Sequence, residues 1–131
     1  MSVFSVPIEF SNLTRARVER VDAWVDTGAF YTSIPRPLLE SIGVTPYKRE
    51  RFMLADGCLV ESDIGHMWVQ VGGRDDITYV LFAEPESAPL LGALTLEALA
   101  FNIDVVDQRL VPKTWLPRFA AARVLDHAAL A

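Results

Sequence analysis

AWVDTGAFYTSIP, residues 23–35, is an apolar run that ends on a carboxylate, a hydroxyl and a glycine. Upstream, RARVERVDAWVD alternates so that Val21, Ala23 and Val25 share one face, the period of a half-buried strand. An aspartate at the end of such a strand costs free energy unless hydrogen bonds compensate it. The residues after Asp26 can supply them. Thr27 carries a hydroxyl that donates and accepts. Gly28 permits a turn that most residues resist and brings its N–H near the carboxylate, and Ala29 keeps the approach open. One carboxylate so placed is a stabilised anion. Two that face each other share a proton, because both cannot ionise cheaply at short range. One then serves as a base toward water and the other as an acid toward a carbonyl oxygen.

Outward from this stretch the pattern is mostly β. In VFSVPIEF, Phe4, Val6, Ile8 and Phe10 alternate with polar residues and Pro7, which places Pro7 at a sheet edge or ladder end. PRPLLESIG reads as a short helix, with Pro35 and Pro37 at its start and Gly43 at its stop. KRERFMLADGCLVESDIG reads as a hairpin around Asp56-Gly57, a pair that suits a type I′ turn. HMWVQVGGRDDITYVLFA reads as two more strands around Gly72-Gly73. A buried pair and a glycine, Leu90-Leu91-Gly92, precede a short helix near 93–100, and NIDVVDQRLVP reads as one further strand. The expected fold class is all-β, a closed barrel of short strands with little helix. Residues 1–116 form the expected domain. Residues 117–131 form an Ala-rich tail expected to be helical, packing either on the barrel end or in a dimer interface.

The chain has 131 residues, 51% of them hydrophobic, enough for one ordinary domain with its own core. A net charge of −5 and scattered basic residues argue against nucleic acid as a partner. Cys58 is the one cysteine, so neither an internal disulfide nor a thiolate zinc cluster is expected. No apolar run approaches membrane-spanning length, and MSVFSVPIEF does not read as a signal peptide, so a cytoplasmic location is the expectation. His66 and His127 sit in no metal-ligand pattern, and no cofactor motif or glycine-rich phosphate loop appears. Ser33 has no neighbouring histidine to activate it. Trp24 reads as a packing residue and Cys58 as a small half-buried one.

The combination resembles the retropepsin-like aspartic proteases. The resemblance rests on Val25-Asp26-Thr27-Gly28-Ala29 followed by Thr32, Ser33 and Ile34. It is strengthened by LADGCLV at the position of the family's flap hairpin, by PLLGALTLEAL at its hydrophobic-hydrophobic-Gly motif, and by the strand that follows. It spans residues 4 to 111, and the ADG flap without a glycine-rich tip is similar to a bacterial-type, single-domain member distant from the viral enzymes. The resemblance implies that Asp26 is catalytic. It implies that Thr27 locks two active-site loops together across a dimer, and that Gly28 and Ala29 support the carboxylate and substrate. Ala55, Asp56 and Gly57 would close over a bound peptide, and Leu90, Leu91 and Gly92 would pack beneath the active-site loop without chemistry of their own.

The chain holds one Asp-Thr-Gly, and no other acid repeats its context. A two-fold homodimer supplies the second carboxylate by symmetry. The implied activity is that of a homodimeric aspartic endopeptidase acting on an extended polypeptide, without metal or cofactor. The alternative is a non-catalytic dimerisation or peptide-binding module on the same fold.

Overall fold

In a computed structural model, residues 2–116 are described. Among these residues nine strands and two short helices run in the order β1 (Ser2–Ser11), β2 (Val18–Asp26), β3 (Thr32–Pro35), α1 (Arg36–Ser41), β4 (Pro46–Met53), β5 (Leu59–Val71), β6 (Arg74–Ala83), β7 (Leu90–Leu91), α2 (Ala93–Ala98), β8 (Phe101–Asp104) and β9 (Arg109–Pro112). The helix expected over 117–131 lies outside the described residues.

The all-β expectation holds. Seven strands form one sheet in the order β1-β2-β7-β3-β6-β5-β4, and β1 also pairs with β5. The pairings therefore return on themselves, leaving β4 outside the ring as an edge strand. Pro7 fits this scheme, because β5 pairs with β1 only over Glu9–Ser11, so that edge of Pro7 needs no ladder donor. The alternation read in β1 and β2 becomes the core: Phe4, Ile8, Phe10, Ala23 and Val25 are buried with Ile34, Leu39, Met67, Val80 and Leu91. Each large apolar side chain buried here stabilises the fold by about 1.5–3 kcal/mol.

Three readings are corrected. The flap strand and the segment from His66 onward are one 13-residue strand, β5, running through Gly65 without a break. Gly65 is there because a β-carbon would stand 2.8 Å from the Thr45 carbonyl oxygen. NIDVVDQRLVP is a hairpin, β8–β9, rather than one strand. Its turn is built by Asp104, whose Oδ1 accepts from the N–H groups of Val106 and Asp107, both at 3.1 Å, with Gln108 at φ +51°. The flap turn is also of another type, as described below. By contrast Gly72 and Gly73, at φ +55° and +82°, close the β5–β6 hairpin as expected.

Candidate active site

β2 carries Asp26 as its last residue, and the chain returns as β3. Between these two arms lies β7: Trp24 and Val25 pair in parallel with Leu90 and Leu91, and Ser33 pairs antiparallel with Leu90. Leu90-Leu91 thus forms the floor of the Asp26 loop. Within the loop, the Gly28 N–H donates to Asp26 Oδ1 at 2.9 Å and the Ala29 N–H to the Asp26 backbone oxygen at 3.2 Å. Asp26 and Ala29 are half-buried, and Thr27 and Gly28 are exposed.

The loop is also locked from below. The first two N–H groups of α2, on Ala93 and Leu94, donate to the carbonyls of Ala29 and Phe30 at 2.9 and 3.0 Å. Helix donors that would otherwise lack partners are satisfied by the loop they support. Gly92 makes this approach possible, since a β-carbon there would stand 2.5 Å from the Tyr31 carbonyl carbon and oxygen. Its N–H donates to Thr32 Oγ1 at 3.0 Å, and a chain of buried hydroxyls continues from Thr32 to Thr95 (2.6 Å) and from Thr95 to Thr78 (2.7 Å). Two strands, β3 and β6, and helix α2 are pinned through this one polar thread, and among the described residues no buried side-chain polar atom lacks a partner.

Above the loop, β4 and β5 form the flap hairpin. Its turn is not the two-residue type I′ form. Leu54 and Cys58 are joined by an N–H···O bond of 2.8 Å, the Gly57 N–H reaches the Leu54 carbonyl at 2.9 Å, and only Gly57 has positive φ, at +88°. This is a three-residue loop with a left-handed glycine at its end. Asp56 prefers it because its Oδ1 accepts the Cys58 N–H at 2.9 Å, and that amide holds the Asp56 carboxyl below the ordinary aspartate range. Ala55, Asp56 and Gly57 are exposed at the tip.

A cleft of about 430 Å³ separates flap and loop. Gly28, Ala29 and Leu90 line it from the loop side and Phe52, Met53 and Leu54 from the flap side, with no charged side chain in its wall. The structure therefore brings Gly28, Ala29 and Leu90 to one cleft; Asp26 and Thr27 sit beside it rather than in its wall, and the flap residues that face it lie just behind the tip. Phe30, Tyr31 and Phe52 also line it and were not singled out in the sequence. The signal was present in the aromatic pair directly after Asp-Thr-Gly-Ala. Trp24, expected to pack, is 44% exposed, because strand alternation turns it away from buried Val25. Cys58, expected half-buried, is exposed beside the flap turn. His66 stacks on Tyr47 at 4.4 Å between ring centroids, and the described residues contain no group of three or more metal-ligating side chains.

The flap stem is tied to α1. Asp63 on β5 accepts from Arg36 and lies 3.4 Å from Arg49 Nη1 on β4. Arg36 also sits 4.9 Å over the Phe82 ring, and its hydrogen bond to Asp63 raises its already high pKa.

A scan against protein-family models finds no match, and a search of curated proteins finds none either. Solved structures do match. The simian foamy virus (mac) protease superposes with a TM-score of 0.54 at 22% identity, covering 73% of this chain and 94% of that one. The retroviral protease-like domain of Ddi1 from Leishmania major superposes with a TM-score of 0.56 at 20% identity, covering 89% and 96%. The fold is retropepsin-like. Within this fold, the loop residues Gly28 to Tyr31, Leu90 and the β4–β5 hairpin border one cleft. Among the described residues no helix is long and apolar enough to cross a membrane.

Proposed function

We propose that the chain is a homodimeric aspartic endopeptidase of the retropepsin-like family, with the Asp26 carboxylates of two copies forming the catalytic pair. The observation that carries this reading is the setting of Asp26. Its carboxylate is oriented by the Gly28 N–H on a loop fastened to α2, beside an uncharged cleft roofed by a hairpin. A fixed carboxylate near a water-excluding lid suits water activation. In the dimer, one Asp26 takes a proton from water as the water attacks the peptide carbonyl. The other gives its proton to the carbonyl oxygen. The tetrahedral intermediate then collapses with protonation of the leaving amine. In this reading Thr27, exposed in the single chain, locks the two active-site loops together across the dimer. Gly28 and Ala29 leave the cleft floor open to a polypeptide backbone, and Leu90, Leu91 and Gly92 act as support. The flap tip, Ala55, Asp56 and Gly57, reaches substrate when the hairpin closes. Residues 1–116 carry this activity. A cytoplasmic site of action fits a chain whose one thiol is exposed and unpaired with another cysteine.

One observation favours a peptide-binding or dimerisation module without catalysis: the exposed flap tip is polar and stands off the cleft wall. Cleavage of a peptide library across a range of pH separates the two. The peptidase reading expects a bell-shaped, acid-leaning profile, inhibition by a statine-type compound, and a loss of about 10²–10⁴-fold in Asp26→Asn. Tight peptide binding without cleavage, or full activity in Asp26→Asn, would overturn it.

A further inference from the structure

We infer that Tyr31 is the seat on which the flap rests, a positioning residue that sets how readily the hairpin lifts from the active-site loop. Among the described residues β4 pairs with β5 alone, and no other described strand lies along its outer edge. Its side chains must therefore hold it down. Lys48, Glu50 and Phe52 are half-buried while Arg49, Arg51 and Met53 are exposed, so one face of β4 is turned inward. Two contacts seat that face. At the root, Lys48 Nζ lies 5.1 Å over the Tyr79 ring and is kept in place by Glu50 at 2.7 Å. Toward the tip, the Phe52 ring meets Tyr31 edge-on, with centroids 6.0 Å apart and planes at 80°.

Tyr31 is suited to be the fixed partner of that second contact. Its carbonyl abuts Gly92, and the carbonyl of Phe30 before it is tied to α2. Tyr79 braces its ring from the side at 5.8 Å and 73°. Phe52 belongs to the moving element and Tyr31 to the loop that carries Asp26. Both rings line the cleft, so a bound chain touches the moving and the fixed side of the same contact. Edge-to-face ring pairs supply attraction that depends on geometry as well as burial, which is what a resting position requires.

The inference deepens the peptidase reading, but its test needs no catalysis. Amide hydrogen exchange is measured on the full chain without substrate, over flap residues 52–60 and over the core segments 64–71 and 78–82. Tyr31→Leu should speed exchange in the flap by about fivefold or more and leave the core segments unchanged. Tyr31→Phe, which keeps the ring, should match the unsubstituted chain. Phe52→Leu removes the same contact from the flap side and should reproduce the Tyr31→Leu pattern; it decides the matter if Tyr31→Leu does not fold. Unchanged flap exchange in Phe52→Leu, or acceleration spread equally over the core, would overturn the seat. Because exchange is read without turnover, an inactive chain with the expected pattern keeps the seat and discards the peptidase. An active one with unchanged flap exchange does the reverse.

Discussion

A methyl group at position 92 has no room. A β-carbon there would press on the Tyr31 carbonyl at 2.5 Å and the Thr32 nitrogen at 2.8 Å, and both belong to backbone that cannot rotate away. Gly92→Ala should therefore cost about 1–3 kcal/mol in denaturant unfolding and push the Asp26 loop off α2. An unchanged unfolding midpoint would contradict the close approach. The residues themselves showed only a buried pair and a glycine before a helix; it was the family resemblance that implied a support beneath the loop. The Asp26–Gly28 contact was legible from the residues: a carboxylate ending an apolar strand demands compensation nearby in the chain, and the Gly28 N–H supplies it. The Thr32–Thr95–Thr78 thread was not. Its members are separated by 63 and 17 positions, and a threonine inside an apolar segment looks the same whether its hydroxyl meets another hydroxyl or a carbonyl. Trp24 misled because its bulk suggested burial, whereas strand alternation decided its direction.

At the scale of elements, the flap turn carries a pH-dependent part. The Cys58 amide depresses the Asp56 carboxyl, and further hydrogen bonding at Cys58 adds to this. A group with a lowered folded-state value stabilises the fold fully above its unfolded value, near 3.8 for aspartate, and loses that contribution as pH falls through the lower folded value. The turn should thus keep its shape through mildly acid solution and loosen only below that window. The Cys58 amide proton resonance should titrate with a midpoint under 3.8, and the step should vanish in Asp56→Asn, which keeps an acceptor oxygen without a charge. A midpoint at or above 3.8 would refute the bond. The hairpin itself was legible, but its turn type was not. Asp-Gly satisfies both a two-residue turn and a type I turn ending in a left-handed glycine, and strand register chooses between them. The β8–β9 hairpin was hidden for a different reason. Val105 and Val106, 62% and 87% exposed, occupy a turn where polar residues are usual, so the segment read as continuous strand.

For the whole molecule, the chemistry proposed for Asp26 needs two chains. Activity per chain should fall on dilution below the dimer dissociation constant and return on reconcentration, in step with mass measured by sedimentation. Activity independent of concentration in a sedimenting monomer would remove the symmetric dyad. The all-β class and the order of motifs were legible because alternation and turn residues are local. Which strands pair was not, because β1–β5, β2–β7 and β3–β6 join segments that no local pattern connects.

The β2–β7 ladder has a consequence for how the protein is made. Trp24 pairs with Leu90, so the strand bearing Asp26 waits for a floor encoded more than half the chain later. Closing so long a loop costs entropy before the parallel pairing returns any stabilisation. A ribosome that has released only the first eighty residues has therefore delivered the Asp-Thr-Gly without the surface that shapes it. Synthesis order itself keeps the carboxylate unformed as a site until Leu90 and Leu91 have followed it out.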